Sequence, residues 1–541
     1  TMGFADWDAF GGELDVHRER VQRHFEELFA ASDEDDGESN LSGIWLERPD
    51  VGVVEALVGA GFDDPHTVAG LLERYRDSRA VRGLGPRGRE RMDQLMPRVL
   101  ASAGAVTSPL TVLGQILSIL EAVARRTAYL DLLVENPQVL EQLIRLVGAS
   151  PWFARQIVRQ PVLLDEFVDP RTLYAPLDRA SLREELAAMV KGCEGDLEQE
   201  MERLRQFVNT NRLRVAAADV AGVVPLMVVS DYLTDTAEVA LEQALEMAWR
   251  DLTAKHGAPQ GVAADGKGFA VIGYGKLGGR ELGYGSDLDL VFLHANRDPN
   301  AATDGGRPVA NDVFYARLGQ RLVFVLTTRT PSGFVYEVDM RLRPNGNAGL
   351  LVSSLEAFDT YQENEAWTWE HQALIRARFV AGDPSVAGRF EATRRSVLGR
   401  QREEADLRAE VVGMREKMRA NLDKTTDERF DLKQGRGGIT DIEFMVQYCV
   451  LRWARRYPDL LEWTDNIRLL DTLARHDLLE GRAAEQLANM YRVLRAAYHR
   501  DALREQPGLV PAGELVAERG LVAEIWEEML VPSAGSESAG N

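Results

Sequence analysis

The stretch GYGKLGGRELGYGSDLDLVFLH, residues 273–294, decides how the middle of the chain folds. Its second half alternates in polarity with the period of a β-strand, so Asp287 and Asp289 are predicted to lie on one face and the intervening leucines on the other. Two residues along a strand span roughly 6–7 Å, which lets two carboxylates converge on one or two Mg²⁺ ions. The glycine-rich turn before them offers backbone N–H groups to phosphate.

A third carboxylate is predicted from residues 334–343, which alternate strictly between an apolar set and a mostly polar set. Such alternation is typical of a half-buried strand. The polar face carries Asp339 together with Arg341 and Arg343. We predict that Asp339 completes a metal site with the two earlier aspartates, and that both arginines bind phosphate bidentately. Metal-binding carboxylates beside a phosphate cradle are what an enzyme needs to transfer a nucleotide.

Further phosphate ligands are predicted in and beside the glycine turn: Gly275, Lys276, Gly278 and Ser286. For Lys276, a solvated turn residue is an equally good interpretation, and Ser286 either binds phosphate or closes the turn. The glycines also match the fingerprint of dinucleotide-binding domains, which requires a long helix and then an acid about 20 residues on. Residues 283–286 end any helix after barely two turns, and two acids follow on one face, so the dinucleotide interpretation is disfavoured.

The composition favours a large intracellular protein without nucleic-acid or membrane partners. A length of 541 residues predicts about three to four domains. The net charge of −22 argues against a templated polymerase, because nucleic-acid affinity depends largely on Lys and Arg. Two distant cysteines, Cys193 and Cys449, predict neither a disulfide nor a zinc site and favour a reducing cytoplasm. No stretch approaches about 18 apolar residues and no secretory signal is recognisable, so we expect neither a transmembrane helix nor export.

The predicted fold is mainly α with one α+β domain. Residues 1 to about 260 show almost wholly helical patterns. A short strand is predicted at 269–272 and an amphipathic helix near 313–326, between the two aspartate-bearing strands. From about 383 onward the chain is predicted to be helical again, with a loop before Asp441 and Glu443 that is either a second ligand loop or a tight turn opening a helix. A disordered tail is expected from about residue 533.

Four segments carry a resemblance to a known family: residues 273–294, 338–344 (VDMRLRP), 364–378 (NEAWTWEHQALIRAR) and 430–444 (FDLKQGRGGITDIEF). They resemble the glutamine-synthetase adenylyltransferase family, within the polymerase-β-like nucleotidyltransferase superfamily, and the likeness extends over essentially the whole chain. One departure is Arg436, where the family pattern leads us to expect proline.

The resemblance implies a domain organisation. It places a small mixed sheet with helices, the nucleotidyltransferase domain, at residues 251–382. Helical domains flank it: 1–95 as the remnant of a preceding domain, 96–250 as a linking and regulatory region, and 383–541 as a C-terminal domain.

The resemblance also implies a function. Full members of the family carry two nucleotidyltransferase domains, of which the first removes AMP from glutamine synthetase by phosphorolysis and the second attaches it. The single Asp-x-Asp site of this chain is similar to the attaching, C-terminal one. We therefore expect a cytoplasmic enzyme of nitrogen metabolism that moves AMP from ATP to a tyrosine hydroxyl of glutamine synthetase and releases pyrophosphate. AMP removal and a non-catalytic scaffold are the alternatives.

The family's cofactors and effectors follow from the same resemblance. Mg²⁺, with Mn²⁺ as the alternative ion, would be held by Asp287, Asp289 and Asp339, which are also the expected catalytic residues. Asp339 is the candidate for orienting the tyrosine hydroxyl or accepting its proton. Glutamine and the PII signalling protein are the expected effectors, and no nucleic acid or membrane is an expected partner.

Overall fold

The computed structural model describes residues 35–46, 52–263, 266–330 and 332–531, so the predicted disordered tail lies outside the described residues. Contacts within the chain group it into two units, Thr1–Ala175 with Ala216–Val224, and Pro176–Val215 with Pro225–Asn541. The described residues are mostly helical with a small mixed sheet, which confirms the predicted mainly-α class with one α+β region. The four domain boundaries implied by the family resemblance stay predictions.

The first unit is helical throughout its described residues. Its helices are α1 (Asp35–Leu46), α2 (Val53–Gly59), α3 (Pro65–Arg76), α4 (Arg79–Arg82), α5 (Pro86–Gly104), α6 (Pro109–Val123), α7 (Thr127–Glu135), α8 (Pro137–Ala149), α9 (Pro151–Arg159) and α10 (Pro170–Leu173), with a 3₁₀ helix at Pro161–Phe167. Many of them begin with proline, whose fixed φ suits the first helical position, where no N–H partner is needed. In α6 the periodic leucines Leu113, Leu117 and Leu120 are all buried, as an amphipathic helix requires.

The second unit contains the sheet and the remaining helices. The helices are α11 (Arg179–Val190), α12 (Leu197–Val220, whose last residues belong to the first unit), α13 (Leu226–His256), α14 (Gly275–Gly278), α15 (Asn311–Thr327), α16 (Leu355–Asn364), α17 (Thr368–Ile375), α18 (Pro384–Leu398), α19 (Glu404–Leu422), α20 (Ile439–Trp453), α21 (Asn466–Arg475), α22 (Gly481–Leu503) and α23 (Val516–Leu530). Two 3₁₀ helices lie at Gly346–Ala348 and Pro458–Leu461. Helix α15 confirms the helix predicted near 313–326.

The main sheet has five strands: β1 (Phe269–Gly273), β2 (Leu288–His294), β3 (Val338–Asp339), β4 (Val352–Ser354) and β5 (Arg378–Gly382). Strand β1 lies between β2 and β5 and is antiparallel to both. On the side of β2 that faces away from β1, the first residues of β2 pair in parallel with β3 and its last residues pair in parallel with β4. Every residue of β1 is buried, since helices cover this sheet. One buried core contains Ile272 and Val291 of the sheet together with Ile442 of α20 and Leu487 of α22.

The prediction of a long strand at 334–343 is wrong, because only Val338–Asp339 pairs with the sheet. Val335, placed on the polar face by the alternation, is fully buried, and its N–H bonds the carbonyl of Leu326 at the end of α15. Beyond the strand, the Asp339 carboxylate accepts the backbone N–H of Arg341 at 2.8 Å. An aspartate side chain that captures a nearby N–H competes with the strand ladder, so the strand ends there.

A second, two-stranded sheet was not predicted from the sequence, which showed only helical patterns after residue 383. Strand β6 (Arg429–Asp431) pairs antiparallel with β7 (Leu509–Pro511). It fixes the start of the loop at residues 432–438, because Leu432 N–H bonds the carbonyl of Gly508. Across the described residues, no helix is both long and apolar enough to cross a membrane.

Candidate active site

A cavity of about 290 Å³ lies where β1 ends and β2 begins. Its wall is rich in charge, with five acids and five bases among the lining residues. These residues are Gly275, Lys276, Glu281, Asp287, Asp289, Asp339, Arg341, Arg376, Lys433, Ile439, Glu443, Tyr491, Arg495, Tyr498 and His499. A volume of this size is at the lower end of what small-molecule sites enclose. The balance of opposite charges suits a ligand that is itself anionic and bound with cations.

The structure brings all three predicted aspartates to this cavity. Asp287 is exposed in the turn immediately before β2, whereas Asp289 lies on the strand itself. Asp289 stands directly beside Asp339 in the parallel register of β2 and β3. The Leu288 N–H donates to the Glu337 carbonyl at 2.9 Å and joins β2 to the β3 segment, while the Tyr274 N–H donates to the Asp289 carbonyl at 2.9 Å and joins the end of β1 to β2.

The electrostatics of the aspartates differ from one to the next. Burial, together with the carboxylates of Asp287 and Asp339, raises the pKa of Asp289 to about 6. Asp339 has the opposite shift, because hydrogen bonds from Arg341 lower its pKa. The Arg341 Nε donates to Asp339 Oδ2 at 2.7 Å. Crowded carboxylates of this kind repel one another, and a cation or a proton relieves the repulsion.

The donor set suits a divalent cation in kind, since Mg²⁺ and Mn²⁺ prefer carboxylate oxygens. Among the described residues no three Asp, Glu, His or Cys side chains stand ready as a closed ligand set. Arg341 occupies Asp339, so Asp339 must exchange this partner before it can serve as a third ligand. The fit therefore comes from the chemistry of the three carboxylates, and from the space that Gly275 leaves beside Asp289.

Gly275 is required by its backbone and by its neighbour. Its φ is 53°, a left-handed conformation that residues with a side chain rarely adopt. A β-carbon built there would collide with the Asp289 carboxylate. The glycine turn thus allows the backbone to approach the acid closely, which the sequence pattern alone did not indicate.

We expect Gly275→Ala to reduce the proposed nucleotide transfer by at least about a hundredfold, because displacing a reacting group by about 1 Å costs this much. The comparison variant is Gly285→Ala, in the same segment, where a β-carbon meets nothing within 4 Å. Initial rates measured side by side give the test. Equal rates for Gly275→Ala and wild type would contradict the close approach inferred here.

Among the predicted phosphate ligands, Lys276 and Arg341 reach the cavity with Gly275. The ammonium group of Lys276 lies 5.0 Å from the centre of the Tyr498 ring. Burial, and then the nearby cations Lys433 and Arg495, lower the pKa of Lys276 to about 8. Lys276 is half-buried and lines the cavity, and its role as a phosphate ligand stays a prediction.

The other three predicted phosphate ligands do not line the cavity. Gly278 is a packing position, because a β-carbon there would collide with the Arg376 carbonyl. The Ser286 hydroxyl accepts the Gly283 N–H at 3.0 Å and so closes the turn. Arg343 holds its own loop through a 2.8 Å hydrogen bond to the Met340 carbonyl.

Nine lining residues were not among the predicted site residues: Glu281, Arg376, Lys433, Ile439, Glu443, Tyr491, Arg495, Tyr498 and His499. Most belong to helices α20 and α22 or to the loop before α20, far from the sheet in sequence. The sequence left open whether the segment at Asp441 and Glu443 is a ligand loop or the start of a helix, and the two acids differ in this respect. Asp441 is buried and neutralised by Arg415 and Arg419, so it is structural, whereas Glu443 faces the cavity.

A buried ionic network forms the floor of the cavity. Arg376 is its centre and contacts both Glu281 and Glu443, the latter at 2.6 Å. Tyr491 donates its hydroxyl to Glu281 at 2.5 Å, and the Asn466 N–H reaches the same carboxylate at 3.2 Å. Burial disfavours the charge on Glu281, but Arg376 and Arg495 prevail and lower its pKa. The network ties α20, α21 and α22 to the segment between β1 and β2.

Comparison with known proteins places this sheet and cavity in a family context. The family model described as glutamate-ammonia ligase adenylyltransferase matches residues 140–393, which include the three aspartates. A second model, described as GlnD PII-uridylyltransferase, matches residues 407–505, which include most of the missed lining residues.

Three curated relatives cover nearly the whole chain, and each is named bifunctional glutamine synthetase adenylyltransferase/adenylyl-removing enzyme. The protein of Nitrosococcus oceani is 50% identical over 98% of this chain and 56% of its own length. Those of Thioalkalivibrio sulfidiphilus and Pseudomonas putida are 48% and 46% identical, with the same two coverages. The chain thus spans a little over half the length of these relatives, and it belongs to their family of nucleotidyltransferases.

Proposed function

We propose that this chain transfers AMP from ATP to a tyrosine hydroxyl of glutamine synthetase and releases pyrophosphate. The observation that carries the proposal is the cavity in which Asp287, Asp289 and Asp339 lie together with Lys276 and Lys433. The names of the relatives support the choice of glutamine synthetase as the acceptor. We assign the sheet region, residues 251–382, to the polymerase-β-like fold on the same grounds, and we keep the cytoplasm as the proposed location.

The reaction is an in-line displacement at the α-phosphorus. The tyrosine oxygen forms a bond to this phosphorus, and the bond to the bridging oxygen of the departing pyrophosphate breaks. A divalent cation, Mg²⁺ or Mn²⁺, held by Asp287, Asp289 and Asp339 would supply charge neutralisation on the phosphates and favour the phenolate. A free tyrosine hydroxyl has a pKa near 10 and is a poor nucleophile at neutral pH.

The chain's own residues divide the remaining work. Asp339, at the rim of the cavity, is the residue proposed to orient the tyrosine hydroxyl or to accept its proton. Lys276 attracts the phosphates, and Arg341 is placed to contact them once it leaves Asp339.

Removal of AMP by phosphorolysis is the second candidate, because the relatives' names include an adenylyl-removing activity. Attack by phosphate on the AMP–tyrosine bond needs the same carboxylates and a similar anion site. A purely structural scaffold is disfavoured, since a scaffold gains nothing from a cluster of repelling carboxylates.

We expect wild-type chain, ATP and Mg²⁺ to add AMP to glutamine synthetase, detected as a mass increase on one tyrosine by mass spectrometry. In a parallel reaction, AMP-modified glutamine synthetase with phosphate should release little ADP. The matched control is Asp289→Asn, which should be inactive in both. Release of ADP without AMP attachment would reverse the assignment, and absence of both reactions would refute it.

Glutamine and the PII protein are the effectors that we propose, in line with the match to a family model described as GlnD PII-uridylyltransferase. The helical residues 96–250 lie outside the sheet and are the proposed region for their action. A chain lacking these residues tests the location, provided that the remainder folds. An unchanged response to both effectors would place the regulation elsewhere.

A further inference from the structure

Two lysines line the cavity and face its carboxylates without forming a direct ion pair among the described residues. Lys276 comes from α14, and Lys433 comes from the loop between β6 and α20. Within the described ranges, neither ammonium group has a hydrogen-bond or ion-pair partner. Each is half-buried, and the positive charge of Lys433 helps to lower the pKa of Lys276, so the two charges feel one another. Two cations held close together in a partly desolvated site repel one another, and an anionic ligand that contacts both relieves this repulsion.

The arginines at the same cavity are already engaged, which leaves the lysines as the available positive charge. Arg376 contacts Glu281 and Glu443, and Arg341 contacts Asp339. Arg495 donates to the Ser230 hydroxyl at 2.8 Å and to the Glu281 carbonyl at 2.9 Å. An incoming anion therefore finds its direct partners in Lys276 and Lys433.

The loop that carries Lys433 is built to hold it in place. The carboxylate of Asp431, itself buried, accepts the N–H groups of Lys433 and Gln434, each at 2.9 Å. The buried Arg415 then holds the Gln434 carbonyl at 2.8 Å. Because the backbone is fixed on both sides, an anion that binds the ammonium group has to order only the Lys433 side chain and not the loop.

The position of the lysines relative to the solvent decides which phosphates they meet. Arg341 is 74% exposed, so the side of the cavity at Asp339 and Arg341 is where a protein hydroxyl can enter. Lys276 and Lys433 are more enclosed. In an in-line displacement the leaving group departs opposite to the attacking oxygen. If the hydroxyl enters beside Asp339 and Arg341, the pyrophosphate leaves toward the enclosed part of the cavity, and Lys276 and Lys433 are the lysines that line this cavity.

We propose that Lys433, together with Lys276, binds the β- and γ-phosphates of ATP and the pyrophosphate that leaves. This inference takes ATP as the ligand from the proposed function. Binding of a phosphate-type anion by the two lysines does not depend on that function. It gives the helical region after residue 383 a direct role in substrate binding, in addition to covering the sheet.

The test compares Lys433→Gln and Lys433→Arg with Arg436→Gln in the full chain. Arg436 is the matched control, since it lies in the same loop but is exposed, pairs with Glu527 and does not line the cavity. Calorimetric titration with inorganic pyrophosphate, ATP and AMP, without metal, measures binding independently of catalysis. We expect Lys433→Gln to weaken pyrophosphate and ATP about tenfold or more, which is the loss of one charge-assisted contact. AMP binding, the Lys433→Arg variant and the control should stay within about threefold of wild type.

The outcomes separate this inference from the proposed function. If Lys433→Gln binds pyrophosphate as well as wild type does, or loses AMP as strongly as ATP, the assignment to the distal phosphates is wrong. If wild type attaches no AMP to glutamine synthetase yet pyrophosphate binding falls only in Lys433→Gln, the proposed function fails while the anion site stands. Circular dichroism of Lys433→Gln checks the fold. Lys433→Met keeps a side chain of similar length without the charge, so it should weaken pyrophosphate binding as Lys433→Gln does.

Discussion

Asp289→Asn is expected to lower AMP transfer by about a thousandfold or more. The carboxylate lies at the centre of the three aspartates, paired with Asp339 across the strands and raised in pKa by both neighbours. Metal-held charge neutralisation contributes several kcal/mol to a phosphoryl-type transition state, and each 1.36 kcal/mol is tenfold in rate. Single-turnover rates at saturating ATP and Mg²⁺ measure the loss. The control is Asp471→Asn, an exposed acid of α21 away from the cavity.

The same substitution should stabilise the metal-free chain, in a way that depends on pH. The folded pKa of Asp289 is about 6, above the value of about 3.9 in an unfolded chain. Ionisation of Asp289 therefore costs stability; the cost is largest above about pH 6, falls as the pH drops from about 6 to about 4, and vanishes below about pH 3, where both states are protonated. Asparagine removes this cost. Thermal unfolding should show a higher Tm for Asp289→Asn than for wild type at pH 8 and a clearly smaller difference near pH 4. Full activity at ordinary Mg²⁺, or a lower Tm at pH 8, would overturn this account of the site.

The part of the site that is local in sequence could be predicted. Asp287 and Asp289 follow a glycine turn and precede a buried strand, and short-range periodicity is sufficient to put them together. The same reasoning failed at residues 334–343, where Arg341 bonds the Asp339 carboxylate and ends the strand after two residues. The alternation was present, but the competition from a side chain is not visible in a polarity pattern.

The part that depends on distant contacts could not be predicted. Lys433 and Glu443 reach the cavity only because the helices after residue 383 pack on the sheet region, and no spacing rule reports such packing. Both residues lie inside a segment that carried the family resemblance, and this was the available signal. Glu281 was hidden for another reason, since a charged residue in a glycine-rich turn is ordinarily solvated, whereas here it is fully buried.

Arg376→Met should be the most destabilising of the substitutions considered, because it leaves the buried Glu281 and the half-buried Glu443 without the guanidinium that contacts both. Removing one partner of a buried ion pair costs about 3–5 kcal/mol. Since the chain forms two units, hydrogen exchange read by mass spectrometry on α20, α21 and α22 is preferable to one global melting curve. Faster exchange in these helices is the expected result. The Arg389–Glu356 pair, 2.8 Å apart and partly exposed at the surface, supplies the control, and Arg389→Gln should change stability by less than about 1 kcal/mol.

A second variant separates loss of charge balance from loss of packing. In Arg376→Met with Glu281→Gln, one buried acid is neutralised together with the cation, so part of the lost protection should return. If the double variant is no better than Arg376→Met alone, the guanidinium acts by filling space and its charge is unimportant. If protection from hydrogen exchange returns but ATP binding stays weak, the ion pairs also position cavity residues. They would then hold the helices so that Lys433 and Glu443 face the aspartates. An uncharged replacement would restore the fold but not this placement of the two side chains.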